Sequence, residues 1–113
     1  MRKREVLRRQ RDFDVVYKKG KSAGSRHVVV ICRKNGLGIA RKGFVASKKV
    51  GGSVVRSRAV RLMKEALRTS GIELEPGKDY IFIARNGIET AKMQDVRKSL
   101  ESAFRRIGES GKK

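Results

Sequence analysis

One cysteine, one proline, one histidine and no tryptophan occur among the 113 residues, and only 11 acidic side chains stand against 30 lysines and arginines. The single thiol, Cys32, excludes an internal disulfide and a cysteine-built zinc site. It lies in the apolar run Val28 to Cys32 and reads as a small buried hydrophobe. That run, matched in length by Tyr80 to Ala84, falls far short of the roughly 20 residues a membrane-spanning helix needs. The basic opening, Met1 to Glu5, is followed by no apolar stretch and no small-residue cleavage site, so no secretory signal is expected and the reading is cytoplasmic. His27, beside Arg26 at the start of a strand, reads as a surface or edge residue. Asp12 and Asp14 are two apart and do not share a helix face. Nothing here forms a metal-ligand cluster or a nucleophile–base pair, so no catalytic residue and no metal site is expected in the chain itself.

What the chain has is positive charge, a net +19. Residues 1–70 carry 21 basic and 4 acidic groups, and residues 71–113 carry nine and seven. So +17 of the +19 sits in the first seventy residues. An even solubility coat would not be so lopsided; a face that binds a polyanion would be.

Hydrophobic patterning predicts one domain over 1–107, opened by a basic arm over 1–10 that includes Arg2, Lys3, Arg4, Arg8 and Arg9, and followed by a flexible tail over 108–113. A short helix runs from Asp12, its expected cap, to about Lys19, with Phe13, Val16 and Tyr17 on one face and Gly20 as the stop. Gly20 to Ser25 reads as a loop. Strands are expected over 27–33 and 39–47, the second with a bulge at Gly43, together forming a hairpin. A long helix follows from Ser53 to about Thr69, ended by Gly71. A third strand over 80–85 is apolar enough to be central, and a last helix spans Met93 to Ile107. The order α-β-β-α-β-α makes an α+β single-domain α/β sandwich, helices packed on a central sheet.

The middle helix is the most informative element. At 100° per residue, Ala59, Leu62 and Ala66 fall within about 40° of Val55, with Met63 at about 80°. Ser57, Arg61, Lys64 and Arg68 lie opposite, with Arg58 and Arg56 on the two flanks. Glu65 is its only acid. Like charges at i,i+3 and i,i+4 cost a few tenths of a kcal/mol per pair, and a row of phosphates would compensate. Lys48-Lys49-Val50-Gly51-Gly52 precedes the helix. Glycines there allow close approach of a phosphate to backbone N–H groups at a helix N-terminus. The G-x-x-x-x-G-K-[ST] pattern of a nucleotide-binding loop is absent. Phe13 and Tyr17, four apart, have two readings that the sequence leaves open: core packing, or a stacking platform for unpaired bases. Gly108-Glu109-Ser110-Gly111 matches a GXXG string but has no lysines between its glycines, unlike a KH-type clamp.

The run from Lys48 through Ala66 resembles the signature of the bacterial ribonuclease P protein family: a Lys-Val-Gly loop, an Arg-x-Arg core at Arg56-Ser57-Arg58, and Arg61-Leu62-Met63-Lys64-Glu65. Arg11-Asp12-Phe13 with Tyr17 and Lys19-Gly20, then Gly77 to Arg85, then Leu100 with Phe104-Arg105-Arg106, are similar to that family's flanking segments in the same order. Ser57 stands where the signature has asparagine, Val60 where it has lysine, and the strand Arg26 to Ile31 lacks an aromatic often found there.

The resemblance implies a protein subunit that binds a catalytic RNA and assists removal of the 5′ leader from precursor tRNA, as part of an endoribonuclease whose protein alone is inactive. It implies that Mg²⁺ is held mainly by the RNA, that none is required by the protein itself, and that the complex is 1:1. Carried onto this chain, Lys48, Lys49, Gly51, Gly52, Arg56, Ser57, Arg58, Arg61, Lys64 and Arg68 would meet the catalytic RNA. Phe13, Tyr17, Val28 and Val30 would line a cleft for the leader. The family fold would include a βαβ crossover of left-handed sense. Two other readings are a small ribosomal protein that binds RNA without touching a substrate, and a stand-alone metal-dependent nuclease, against which the carboxylate and histidine inventory argues. No membrane partner is expected.

Overall fold

A computed structural model describes residues 5–111 of the chain. Arg2, Lys3 and Arg4 of the basic arm, with Lys112 and Lys113, lie outside the described residues. The elements are α1 (Gln10–Lys19), β1 (Lys21–Gly24), β2 (Val28–Lys34), β3 (Arg41–Val45), α2 (Ser53–Ser70), β4 (Lys78–Ala84), a 3₁₀ turn (Ile88–Thr90) and α3 (Met93–Gly111). The four strands form one sheet in the order β1-β2-β4-β3. The α+β sandwich read from the sequence is the observed fold, with one strand more than expected.

Strand alternation sorts the sheet into two faces. Val28, Val30, Cys32, Tyr80, Phe82 and Ala84 point toward α2 and α3, where Ala59, Met63, Ala66, Val96, Leu100 and Ala103 complete the main core. Aromatic rings run through it, Phe44 on Phe82 and Tyr80 and Phe82 on Phe104, with centroids 5.0–6.0 Å apart. Ile31 and Ile81 point the other way, and with Leu7 and Val16 form a smaller core beneath α1. Both faces of β4 are therefore covered, which is why Tyr80 to Ala84 run unbroken as apolar residues.

Four expectations are corrected. β2 and β3 do not form a hairpin. β4 lies between them, antiparallel to β2 and parallel to β3. The most apolar strand takes the centre, and its start displaces the turn after β2: Asn35 N–H donates to the Gly77 carbonyl at 2.8 Å, and Gly77 N–H to that of Ile39 at 3.0 Å. The segment read as a loop after Gly20 contains β1, an edge strand paired to β2 from Lys21↔Cys32 to Gly24↔Val29. Its residues, Lys-Ser-Ala-Gly, include no β-branched or aromatic side chain to mark a strand. Gly43 makes no bulge; its register runs unbroken from Arg41↔Asp79 to Val45↔Ile83. Asp12 does not cap α1, whose N-cap is Arg9 without a side-chain bond. Helical backbone also continues past Gly108 to Gly111, since an interior glycine weakens a helix by only about 1 kcal/mol.

Candidate nucleic-acid interface

α2 begins after a short turn in which Val50 is buried and Lys48 and Lys49 are exposed. Gly51 has φ +154°, and a Cβ there would lie 2.8 Å from the Val55 side chain, so only glycine lets the turn close on the helix. Gly52 is the N-cap and offers no side-chain bond. The first-turn N–H groups are left as donors beside two lysines.

Along α2 the buried stripe is Ala59, Met63 and Ala66, with Val55, Val60 and Leu67 packed at its edges. The stripe is turned toward Met63 relative to the sequence reading, and Leu62 is only half-buried. The opposite face is as expected: Ser57, Arg61, Lys64 and Arg68 are all exposed, and so is Arg58 on its flank. They are not equally available. Arg68 forms a two-pronged ion pair with Glu65, and this bonding holds the Glu65 carboxyl below its ordinary range. The Lys64 ammonium lies over the Phe44 ring, 5.7 Å from its centroid. Arg58 and Arg61 have no acidic partner among the described residues. Arg56 is turned inward. It is half-buried, and its Nε is shielded from solvent without a hydrogen-bond partner, in a shallow groove with Ala46, Ser53 and Val60. Its position 100° from Val55 places it beside Met63 rather than on the outer face.

The second surface lies under α1. The Phe13 ring packs on Gly43, where a Cβ would sit 2.7 Å from Cε1 and Cζ. It also meets Tyr17 at 6.4 Å and a 38° tilt. Phe13 is thus half core and half cleft wall, while Tyr17 remains 42% exposed. Partial burial, then Asp14, push the Tyr17 phenol above its ordinary value. Val28 and Val30, assigned to this cleft from the sequence, are fully buried on the other side of the sheet against α2 and α3. Period-two alternation reveals two faces but not which helix covers each, and the assignment fell one residue out of step. The floor of the cleft is instead Val29, Ile83 and Val45, aligned across three strands by the pairs Val29↔Ile83 and Val45↔Ile83 and only partly covered by α1.

An ion-pair cluster fixes α1 against the sheet. Asp79, 1% exposed, accepts bonds from Arg41 Nε and Nη2 at 2.8 and 2.7 Å and from Asn35 Nδ2 at 2.8 Å. Arg41 Nη1 also reaches Asp12 of α1 at 3.7 Å. The sequence reading missed this cluster; an acid inside the apolar run 78–84 was the available signal. Before α1, Leu7 is buried and its N–H donates to the Lys42 carbonyl at 2.8 Å, which pins the base of the arm while Arg8 and Arg9 stay exposed. Among the described residues no group of three or more His, Cys, Asp and Glu side chains is placed to hold a metal ion, and no helix is long and apolar enough to cross a membrane.

Comparison with known proteins matches this arrangement. The sequence model of the Ribonuclease P family matches residues 1–108. The ribonuclease P protein component of Pelotomaculum thermopropionicum is 36% identical over 102 residues, covering 90% of this chain and 91% of the relative. That of Clostridioides difficile is 40% identical over 101 residues, covering 88% and 89%. Among solved structures, the Staphylococcus aureus RNase P protein superposes with a TM-score of 0.78 at 29% identity, over 90% of this chain and 94% of that one. The Thermotoga maritima RNase P protein does so with a TM-score of 0.73 at 32% identity, over 87% and 93%.

Proposed function

The chain belongs to the ribonuclease P protein family, and from that premise we propose how its two surfaces divide the work. Family membership implies RNA binding and a role in tRNA processing beside an RNA subunit. In our reading the outer face of α2 binds that RNA: Arg58 and Arg61 as cations without competing acids, Lys64 and Arg68 after leaving Phe44 and Glu65, and Lys48, Lys49 and the Gly51-Gly52 turn at the helix start. Ser57 contributes a hydroxyl to a phosphate. Arg56 acts from within the groove beside Ala46.

The cleft under α1 takes the single-stranded 5′ leader of precursor tRNA. Tyr17 and the free edge of Phe13 stack on unpaired bases, and Val29, Ile83 and Val45 make an apolar, sequence-indifferent floor. Cleavage of the leader is carried by the RNA subunit. Mg²⁺ held by that RNA would supply the metal-activated water. The protein acts in the cytoplasm as one copy per RNA, positioning substrate and neutralising phosphates.

The observation that carries this reading is the coincidence, on one family fold, of an almost acid-free helix face with an aromatic-walled cleft on the opposite side of the sheet. The test is reconstitution with the catalytic RNA from the same source at low Mg²⁺. Addition of the protein raises precursor-tRNA affinity and turnover, and protein freed of RNA does not cleave. Cleavage by the protein alone refutes the division. Tyr17→Ala is expected to weaken leader binding by about 1–3 kcal/mol without changing affinity for the catalytic RNA.

A further inference from the structure

We infer that a second, polar pocket, between the β1–β2 turn and α3, holds phosphates of the leader after it leaves the cleft; this rests on the cleft reading above. The turn sits directly on α3. Ser25 Oγ donates to the Ser99 carbonyl at 2.7 Å, and the His27 N–H donates to Ser99 Oγ at 3.2 Å. Beside these bonds lies a hollow of about 500 Å³ lined by Arg26, His27, Asp95, Lys98, Ser102 and Arg106.

Its chemistry suits an anion. Three cations outnumber its one carboxylate, Asp95, whose Oδ2 accepts from the Lys92 N–H at 3.2 Å at the start of α3. Arg26 and Lys98 are exposed and pair with no acid among the described residues. His27 Nδ1 is shielded from solvent, so the exposed cations, not the imidazole, are the groups a ligand in the hollow would meet. Backbone phosphates present anionic acceptors to such cations at regular intervals and without regard to base.

Its position points to the leader. Gly24 pairs with Val29, part of the cleft floor. Arg85 follows Ile83 by two residues, and its N–H continues the ladder to the His27 carbonyl, so it shares the cleft face. Two guanidiniums grip the turn: Arg85 Nη1 donates to the Ser25 carbonyl at 2.8 Å, and Arg106 Nη1 to the Gly24 carbonyl at 2.6 Å. A single strand lying on Val29 and Ile83 thus meets Arg85 at the end of the floor, then Arg26, then Lys98 and Arg106 beyond the turn. No residue of α2 lines the pocket.

The test is binding of precursor tRNAs with leaders of about four and about sixteen nucleotides, the span of single-strand sites on small folds. The protein is assembled with its catalytic RNA as wild type, as Arg26→Ala/Lys98→Ala, or as Tyr17→Ala. Both substituted cations are exposed, and unchanged thermal unfolding verifies the fold. Wild type binds the long leader several-fold more tightly than the short one. The double variant loses that difference, keeps its short-leader affinity, and has a long-leader salt slope shallower by roughly 1.4, for two single-strand phosphate contacts. Retention of the wild-type difference by the double variant overturns the inference, as does a wild type indifferent to leader length. Weaker binding of the free catalytic RNA by the double variant also overturns it, assigning the pocket to that RNA. Tyr17→Ala reports separately: a normal short-leader affinity in that variant refutes the cleft and leaves the pocket to be judged on length dependence alone.

Discussion

Gly43 and Phe13 come from different ends of the sequence reading, one taken as a bulge and the other left between core and platform, and they turn out to be one contact. The missing Cβ of Gly43 is the space the Phe13 ring occupies. Gly43→Ala is therefore expected to destabilise the fold by about 1–3 kcal/mol through overpacking. In a Phe13→Ala background the same change should cost clearly less, and a double-mutant cycle by urea unfolding reads the difference. Equal cost in both backgrounds would mean that the ring yields freely. Asp79 makes the second residue-scale prediction. Asp79→Asn leaves Arg41 without its buried anion. The expected loss is about 3 kcal/mol, the lower end for a broken buried pair, because Arg41 keeps 20% of its side chain exposed. No residue-scale signal in the sequence identified Arg41 as the partner, since the two are 38 positions apart.

At the scale of the element, α2 was the most legible part of the chain and α1's surroundings the least. Helical period alone placed Ser57, Arg61, Lys64 and Arg68 on one face, and all four are exposed. The period could not show that Arg68 is tied to Glu65 or Lys64 to Phe44, because one bond is a rotamer choice and the other crosses to β3. These ties separate the cations in a testable way. Arg61→Ala should weaken binding of the catalytic RNA and make the salt slope shallower by about one. Glu65→Gln should strengthen it at low salt by releasing Arg68, measured in the same titration. Strand identity was legible as well, but strand pairing was not. Val28 and Val30 were set on the wrong face, and β2 and β3 were joined, because alternation and turn residues are local signals. The sheet order is decided by which strand most needs cover on both sides.

For the molecule as a whole, the charge asymmetry is visible in composition and survives folding as a basic α2 face, while several acids are paired: Asp79 with Arg41, Glu65 with Arg68, Glu75 with Lys78. Three of these few acids are thus spent on holding structure, and self-repulsion among the remaining cations opposes the compact state. Thermal unfolding of the RNA-free protein should shift to higher temperature between low and physiological salt as screening shortens from roughly 30 to 8 Å. A melting temperature that falls with salt would indicate that net ion-pair attraction dominates. β4 carries a different consequence, for synthesis. It is the partner of both β2 and β3, yet the whole of α2 separates it from them in chain order. A ribosome therefore extrudes most of the RNA-binding residues before the strand that completes the sheet exists. Until Lys78 to Ala84 emerge, the nascent chain is a strongly basic polymer without a closed core, in the company of polyanionic ribosomal RNA. The weakly charged final third is what ends that exposure, which makes its near-neutrality a folding property as much as a surface one.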